Sequence, residues 1–176
     1  MKIGFIGSQG TGKTTIAYEL ATKLKKEGHD VYVLSEVARS CPLPINEEST
    51  RSAQLWIMGK QITREQSAKG KIYVSDRTLL DSFAYALRVD KDFFESAKPF
   101  VEQYMTTYDL VFYLEPNDKY LVDDGTRSTD KKFRDEIDDI MLSLIEELDV
   151  SVTMVKAGDI NYIFKQVMFE LISKDA

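Results

Sequence analysis

Apolar positions along the chain follow two periods. Five short runs, at residues 2–6, 31–34, 71–75, 110–114 and 152–155, are almost continuously apolar and predict strands buried on both faces. Between them, apolar residues recur at three- and four-residue spacing, as on a helix with one buried face. Ile16, Ala17, Leu20, Ala21 and Leu24 predict a helix over 13–27, whose last turn holds Lys23, Lys25 and Lys26 and is followed by Gly28. The same spacing predicts helices over 50–69 (Ala53, Trp56, Ile57), from Leu79 past Leu87, over 94–106 (Phe100, Val101, Tyr104), over 130–148 (Phe133, Ile137, Met141, Leu144) and over 160–172 (Ile163, Val167, Leu171). Cys41-Pro42-Leu43-Pro44 stops regular structure. Residues 119–129 are polar without a period and read as a mobile loop. Strands alternate with helices, so the economical fold is α/β: one parallel sheet with helices on both faces, in a single domain over 1–176.

The link between the first strand and the first helix carries the most specific chemistry. Gly7-Ser8-Gln9-Gly10-Thr11-Gly12-Lys13-Thr14, with Thr15 following, matches the G-x-x-x-x-G-K-[ST] phosphate-binding loop at every fixed position. Its glycines allow a tight turn that aims backbone N–H groups at anionic oxygens. Lys13 is expected on the β- and γ-phosphates, the Thr14 hydroxyl on Mg²⁺, and the new helix's dipole favours the phosphates. ATP with Mg²⁺ is the expected cofactor set.

Composition narrows the classes. The chain has 176 residues, a net charge of −6 and a pI near 4.9, which disfavours a large basic surface for duplex nucleic acid. A single cysteine, Cys41, excludes an internal disulfide and a cysteine-rich zinc site. No secretory signal and no membrane span is expected, and a cytoplasmic protein, monomeric or homodimeric, suits a reducing compartment.

Four further features carry chemistry, and the first two stand where predicted strands end, the edge at which open α/β sheets bind ligands. Asp76-Arg77 follows the third strand; Asp76 is placed to hold Mg²⁺, and the alternative is a surface ion pair. Glu36 follows the second strand, with Arg39 nearby. A carboxylate there can accept the proton of an acceptor hydroxyl, or pair with Arg39 or Arg77. Arg127, after the turn at Asp124-Gly125, and Arg134 can steady a transferring phosphoryl group from a closing loop; Arg134 can instead pair with Asp138 one helical turn on. Trp56 and Gln61 offer an aromatic face and an amide to a nucleobase, although Trp56 suits the core better, since large aromatics usually supply packing area.

Taken in order, the phosphate loop, Ser35-Glu36-Val37-Ala38-Arg39, Ser75-Asp76-Arg77-Thr78, Phe112-Tyr113-Leu114-Glu115-Pro116 and Asp123-Asp124-Gly125-Thr126-Arg127 resemble the small P-loop nucleoside and nucleotide kinases. The nearest likeness is to the AAA-type ATPase/kinase group that includes the ribosylnicotinamide kinase domain of bifunctional NAD-biosynthesis regulators. The resemblance implies a three-layer α/β/α P-loop NTPase fold with sheet order 2-3-1-4-5, an acceptor-binding helical region near 40–70 and a lid near 118–134. It also implies that Glu36 and Asp76 lie near the acceptor hydroxyl and the metal, that Arg77 contacts the acceptor, and that Arg127 and Arg134 are lid arginines. The accompanying adenylyltransferase domain has no counterpart in these residues. The expected activity is transfer of the γ-phosphoryl group of ATP to a nucleoside, nucleotide or similar small acceptor. Alternatives are a kinase acting on a polynucleotide or modified-base hydroxyl, and a regulatory ATPase with a protein partner.

Overall fold

The computed structural model describes residues 1–68, 70–121 and 128–175. The five predicted strands form: β1 (Lys2–Ile6), β2 (Val31–Leu34), β3 (Ile72–Asp76), β4 (Leu110–Leu114) and β5 (Thr153–Val155). All pair in parallel in the order β2-β3-β1-β4-β5, as the resemblance implied. The helices are α1 (Lys13–Lys26), α2 (Arg51–Ser67), α3 (Leu79–Val89), α4 (Lys91–Met105), α5 (Lys131–Glu147) and α6 (Ile160–Asp175).

Alternate residues of each strand enter opposite layers. Ile3 and Phe5 of β1 pack with Leu20 and Leu24 of α1 and with Ile163 and Val167 of α6. Ile6 faces the other layer, with Leu80 and Phe83 of α3, Phe94 of α4 and Ile137 of α5. Phe5 stacks on Phe112 at 5.7 Å between ring centroids, and Phe83 on Phe94 at 4.2 Å, so aromatic pairs anchor both layers.

Capping side chains set several helix starts. Helix α4 begins three residues before its apolar spacing suggests, because the Asp90 carboxylate accepts a hydrogen bond from Phe93 N at 2.9 Å. Thr50 and Asp130 cap α2 and α5 from just outside them, accepting from Ala53 N and from Lys132 N and Phe133 N. The stretch between β2 and α2 holds two short 3₁₀ turns, Ala38–Ser40 and Asn46–Glu48, and a third, Asp118–Tyr120, straddles the start of the predicted loop.

Gly4 of β1 lies beside Ser75 of β3 in register. A Cβ on Gly4 would sit 2.4 Å from Thr78 Cγ2 and 3.0 Å from the Tyr108 ring. Such a clash in a close-packed layer forces neighbouring side chains to shift. Gly4→Ala is therefore expected to destabilise the fold by about 1–3 kcal/mol. Urea unfolding measures this, and a change below about 0.5 kcal/mol would show that the layer yields freely.

Candidate functional site

The loop between β1 and α1 wraps the Lys13 ammonium. Lys13 is 5% exposed, and its Nζ donates to Gly7 O at 2.7 Å, Ser8 O at 2.5 Å and Thr11 Oγ1 at 3.1 Å. Burial, followed by the nearby Arg77 charge, lowers its pKa to about 8. Gly10 takes φ +70°, where a Cβ would also press to 2.9 Å from Leu121 Cα. Gln9 through Thr15 line the cleft over the loop, together with Glu36, Asp76, Arg77 and Tyr120. Gly7 and Ser8 stand behind it and contribute their carbonyls to Lys13.

Thr14 and Asp76 meet at the mouth of this loop. The Thr14 hydroxyl donates to Asp76 Oδ2 at 2.6 Å, and Asp76 is 2% exposed. Burial pushes the Asp76 carboxyl up, against the pull of the Thr14 hydrogen bond and of Lys13 and Arg77. Among the described residues no group of three His, Cys, Asp or Glu could cage a metal ion. Two protein oxygens beside a phosphate loop suit Mg²⁺, which retains water and phosphate ligands.

A second cleft opens between the end of β2, α2 and the start of α3. Glu36 Oε1 accepts from Arg77 Nε at 2.6 Å, and Oε2 accepts from Arg39 Nε at 2.8 Å. Burial alone would raise the Glu36 pKa. The Arg77 charge and hydrogen bond, with Lys13 and Arg39, outweigh it and draw the value down to about 2. Arg77 also reaches Asp81 at 3.3 Å. Asp81 is 1% exposed and completes the capping box of α3, accepting from Thr78 N at 2.8 Å while Thr78 Oγ1 accepts from Leu80 N. Gln9, Glu36 and Arg77 line both clefts and so stand where they join.

Among the cleft members that sequence reasoning missed are Gln54, Asp81 and Tyr85. Asp81 was visible as the fourth residue of a T-x-x-D box, and Tyr85 follows it by one helical turn. Tyr85 OH donates to Gln9 Oε1 at 3.2 Å, while Gln9 Nε2 has no partner among the described residues. Gln54, 2% exposed, donates to Ser49 Oγ at 2.6 Å and likewise keeps a partnerless Oε1. Its three-residue spacing from Ile57 places both on the cleft face of α2.

Other expected residues are placed differently. Trp56 is partly buried and lies outside the cleft lining, because one residue along a helix turns the side chain by about 100° from Ile57. Gln61 reaches the cleft wall, but its amide nitrogen contacts Glu65, Ser75 and the Arg77 carbonyl. Arg134 pairs with Asp118 at 2.6 Å and Asp135 at 2.8 Å rather than with Asp138, which accepts from Tyr113 OH. Arg134 lines neither cleft. Arg127 lies outside the described residues.

No helix among the described residues is long and apolar enough to cross a membrane. Comparison with curated proteins finds no match in sequence. Solved structures do match in shape. A deoxyadenosine kinase from M. mycoides with bound dCTP aligns with a TM-score of 0.68 at 20% identity, over 98% of this chain and 100% of that one. A thymidylate kinase from Ehrlichia chaffeensis aligns with a TM-score of 0.66 at 18% identity, over 97% and 98%. A NadR protein in complex with NAD and AMP-PNP aligns with a TM-score of 0.70 at 19% identity, over 94% of this chain but 48% of that one. At such identities the likeness establishes a shared fold. The family profile described as AAA domain covers residues 2–162, nearly the whole chain, and it is to this family that the chain belongs.

Proposed function

We propose that this chain is an ATP-dependent kinase that transfers the γ-phosphoryl group to a hydroxyl of an uncharged, nucleoside-like acceptor. The observation that carries the reading is the meeting of the phosphate-loop cleft with a second cleft at Gln9, Glu36 and Arg77. Donor and acceptor bound in the two clefts would meet at these three side chains, and proximity of this kind removes much of a bimolecular barrier.

Each residue then has a task. Lys13 leaves the loop carbonyls for the β- and γ-phosphate oxygens. Mg²⁺ held by Thr14 and Asp76 would neutralise charge on those phosphates. The acceptor oxygen forms its bond to the γ-phosphorus as the bond to the bridging oxygen breaks, and ADP leaves. The acceptor proton passes to Glu36. With a pKa near 2, Glu36 is ionised at any working pH but is a weak base. It therefore orients the hydroxyl first and takes the proton late, which suits a loose phosphoryl-transfer transition state. The partnerless Gln9 Nε2, steadied through its Oε1 by Tyr85, is a donor for an oxygen of the group in transit.

Charge balance favours a nucleoside over a nucleotide. Among the described residues the acceptor cleft holds two carboxylates, Glu36 and Asp81, and two guanidiniums, Arg39 and Arg77. Arg77 is shared between both acids, and Arg39 is bonded to Glu36. A phosphate on the acceptor would have to break these pairs, leaving a buried carboxylate uncompensated. Ile45, Ile57 and Val37 supply apolar walls, and Gln54 Oε1 is an acceptor for a base amine.

ADP formation and free phosphate, measured in parallel over a panel of nucleosides, nucleoside monophosphates and oligonucleotides, test the reading. Nucleoside-dependent ADP without free phosphate is the expected result. Faster turnover of monophosphates overturns the charge argument, and oligonucleotide-dependent turnover overturns the small acceptor. ATP loss indifferent to every acceptor overturns the kinase.

A further inference from the structure

Behind the acceptor cleft lies a buried polar chain that the proposed reaction does not use. The Glu65 carboxylate, its side chain 2% exposed, gathers four donors. Lys2 Nζ at 2.5 Å and Tyr104 OH at 2.8 Å reach Oε2, while Tyr108 OH and Gln61 Nε2, each at 2.6 Å, reach Oε1. The Lys2 ammonium also lies 3.8 Å from the centre of the Tyr108 ring and 4.4 Å from that of Tyr104. Gln61 continues the chain forward, with its Nε2 at 3.0 Å from Ser75 Oγ and 3.3 Å from the Arg77 carbonyl. The Ser75 hydroxyl donates to that same carbonyl at 2.6 Å. One oxygen, Arg77 O, thus ends a series of contacts that begins at Lys2, at the far end of β1.

Arg77 has a backbone reason to need such support. Its φ is +92°, a left-handed conformation that an L residue with a long side chain rarely adopts. Conformations of this kind persist where surrounding contacts over-determine them. Here the left-handed turn sits between Asp76, which faces Thr14, and the guanidinium that reaches Glu36. The sheet makes room for the chain of contacts. Gly4 and Ser75, paired in register, present no bulky side chain where larger residues on the same face would fill the layer.

We propose that Glu65 and Gln61 are positioning residues for the acceptor site: together with Ser75 they hold the Arg77 carbonyl in its left-handed turn and so aim the Arg77 guanidinium at Glu36 and the acceptor oxygen. This role rests on the reading of Arg77 as an acceptor-site residue. Glu65 does not line the cleft and acts only through Gln61.

Two variants outside the cleft lining test the relay. Ser75→Ala removes one donor to the Arg77 carbonyl. The double variant Lys2→Met with Glu65→Met replaces the buried ion pair by apolar groups of similar length, an exchange that folds commonly tolerate, and leaves Gln61 without its anchor. With a nucleoside acceptor, each is expected to lower acceptor kcat/KM about tenfold while the nucleotide Kd stays within about twofold. Lys2→Arg, which keeps the pair with Glu65, is expected to retain the parent values. A second readout needs no acceptor: the NMR signal of the Arg77 Nε–H, protected by Glu36, should be present in the parent and lost to exchange in both variants. An unchanged Nε–H signal overturns the relay, as does an equal loss of acceptor and nucleotide binding accompanied by a fall in Tm. If the parent phosphorylates no nucleoside, the proposed function fails, and the Nε–H signal still decides the relay.

Discussion

Lys13→Ala is expected to lower phosphoryl transfer by about 10²–10³-fold or more, the loss seen when a pre-organised charge is removed from a transition state. The fold should persist. Two stability effects oppose one another at this position. The ammonium is buried, and its lowered pKa of about 8 records that burial disfavours the charge. Removing it relieves that cost but leaves the Gly7 and Ser8 carbonyls without their donor. The two nearly offset, and the net change should be about 1 kcal/mol in either direction. Steady-state turnover together with thermal unfolding measures both quantities. Near-parent turnover in a folded Lys13→Ala protein would remove the loop from the reaction and the proposed function with it.

Glu36→Gln is the second large effect. If Glu36 orients and then deprotonates the acceptor hydroxyl, the amide keeps the shape of the site but cannot take the proton. The expected loss is about 10²–10⁴-fold, the range for a positioned base, and it should fall mainly on kcat. A loss confined to the acceptor KM would make Glu36 a binding residue only. The same substitution carries a signature in stability. The folded pKa of Glu36 is depressed to about 2 from an ordinary 4.5, so the ionised form is bound more tightly in the native state. That contribution is fully present above about pH 4.5 and is lost as pH falls through about 2. It amounts to about 3 kcal/mol, set by the Arg77 guanidinium first and then by Lys13 and Arg39. Acid unfolding of Glu36→Gln should lack this part of the pH dependence, while the parent keeps it. Identical acid profiles would show that the ion pairs with Arg77 and Arg39 contribute nothing to folding.

Much of the molecule was legible from local pattern. The five strands declared themselves as nearly unbroken apolar runs because helices cover both faces of a parallel sheet, although Tyr32 and Met154, on the edge strands β2 and β5, are about half exposed. The phosphate loop was legible for a related reason. Its chemistry lies in backbone conformation over eight consecutive residues, and the glycines that permit that conformation are written in order. Thr14 and Asp76 were each read as candidates for Mg²⁺, and the hydrogen bond between them comes from the fold, which sets the end of β3 beside that loop. Helix ends were less legible, as Asp90 shows: apolar spacing describes the buried face of α4, and the cap that starts it is polar.

The residues read less well were those whose partners come from elsewhere. Arg134 was read as a lid arginine, with Asp138, one turn along its own helix, as the alternative partner. Across the fold, Tyr113 claims Asp138 and Asp118 claims Arg134, and helical spacing contains neither fact. Gln61 was offered to a nucleobase for its amide, while in the fold its amide nitrogen contacts Glu65, Ser75 and the Arg77 carbonyl. Trp56 was chosen for its chemistry, while the angle of α2 against the sheet turns Gln54 and Ile57 inward in its place.

From sequence alone, then, came the α/β class, the strands, the phosphate loop and the carboxylates and arginines at the strand ends, because each is encoded in neighbouring residues. Tertiary structure decided how those groups are joined. Glu36 meets Arg77 across 41 residues, and Gln9 meets Tyr85 across 76. Such pairings depend on strand order, on the angle at which a helix lies on the sheet and on the left-handed turn at Arg77. All three emerge only when both layers pack at once, and together they turn a nucleotide-binding loop into two clefts that share one wall.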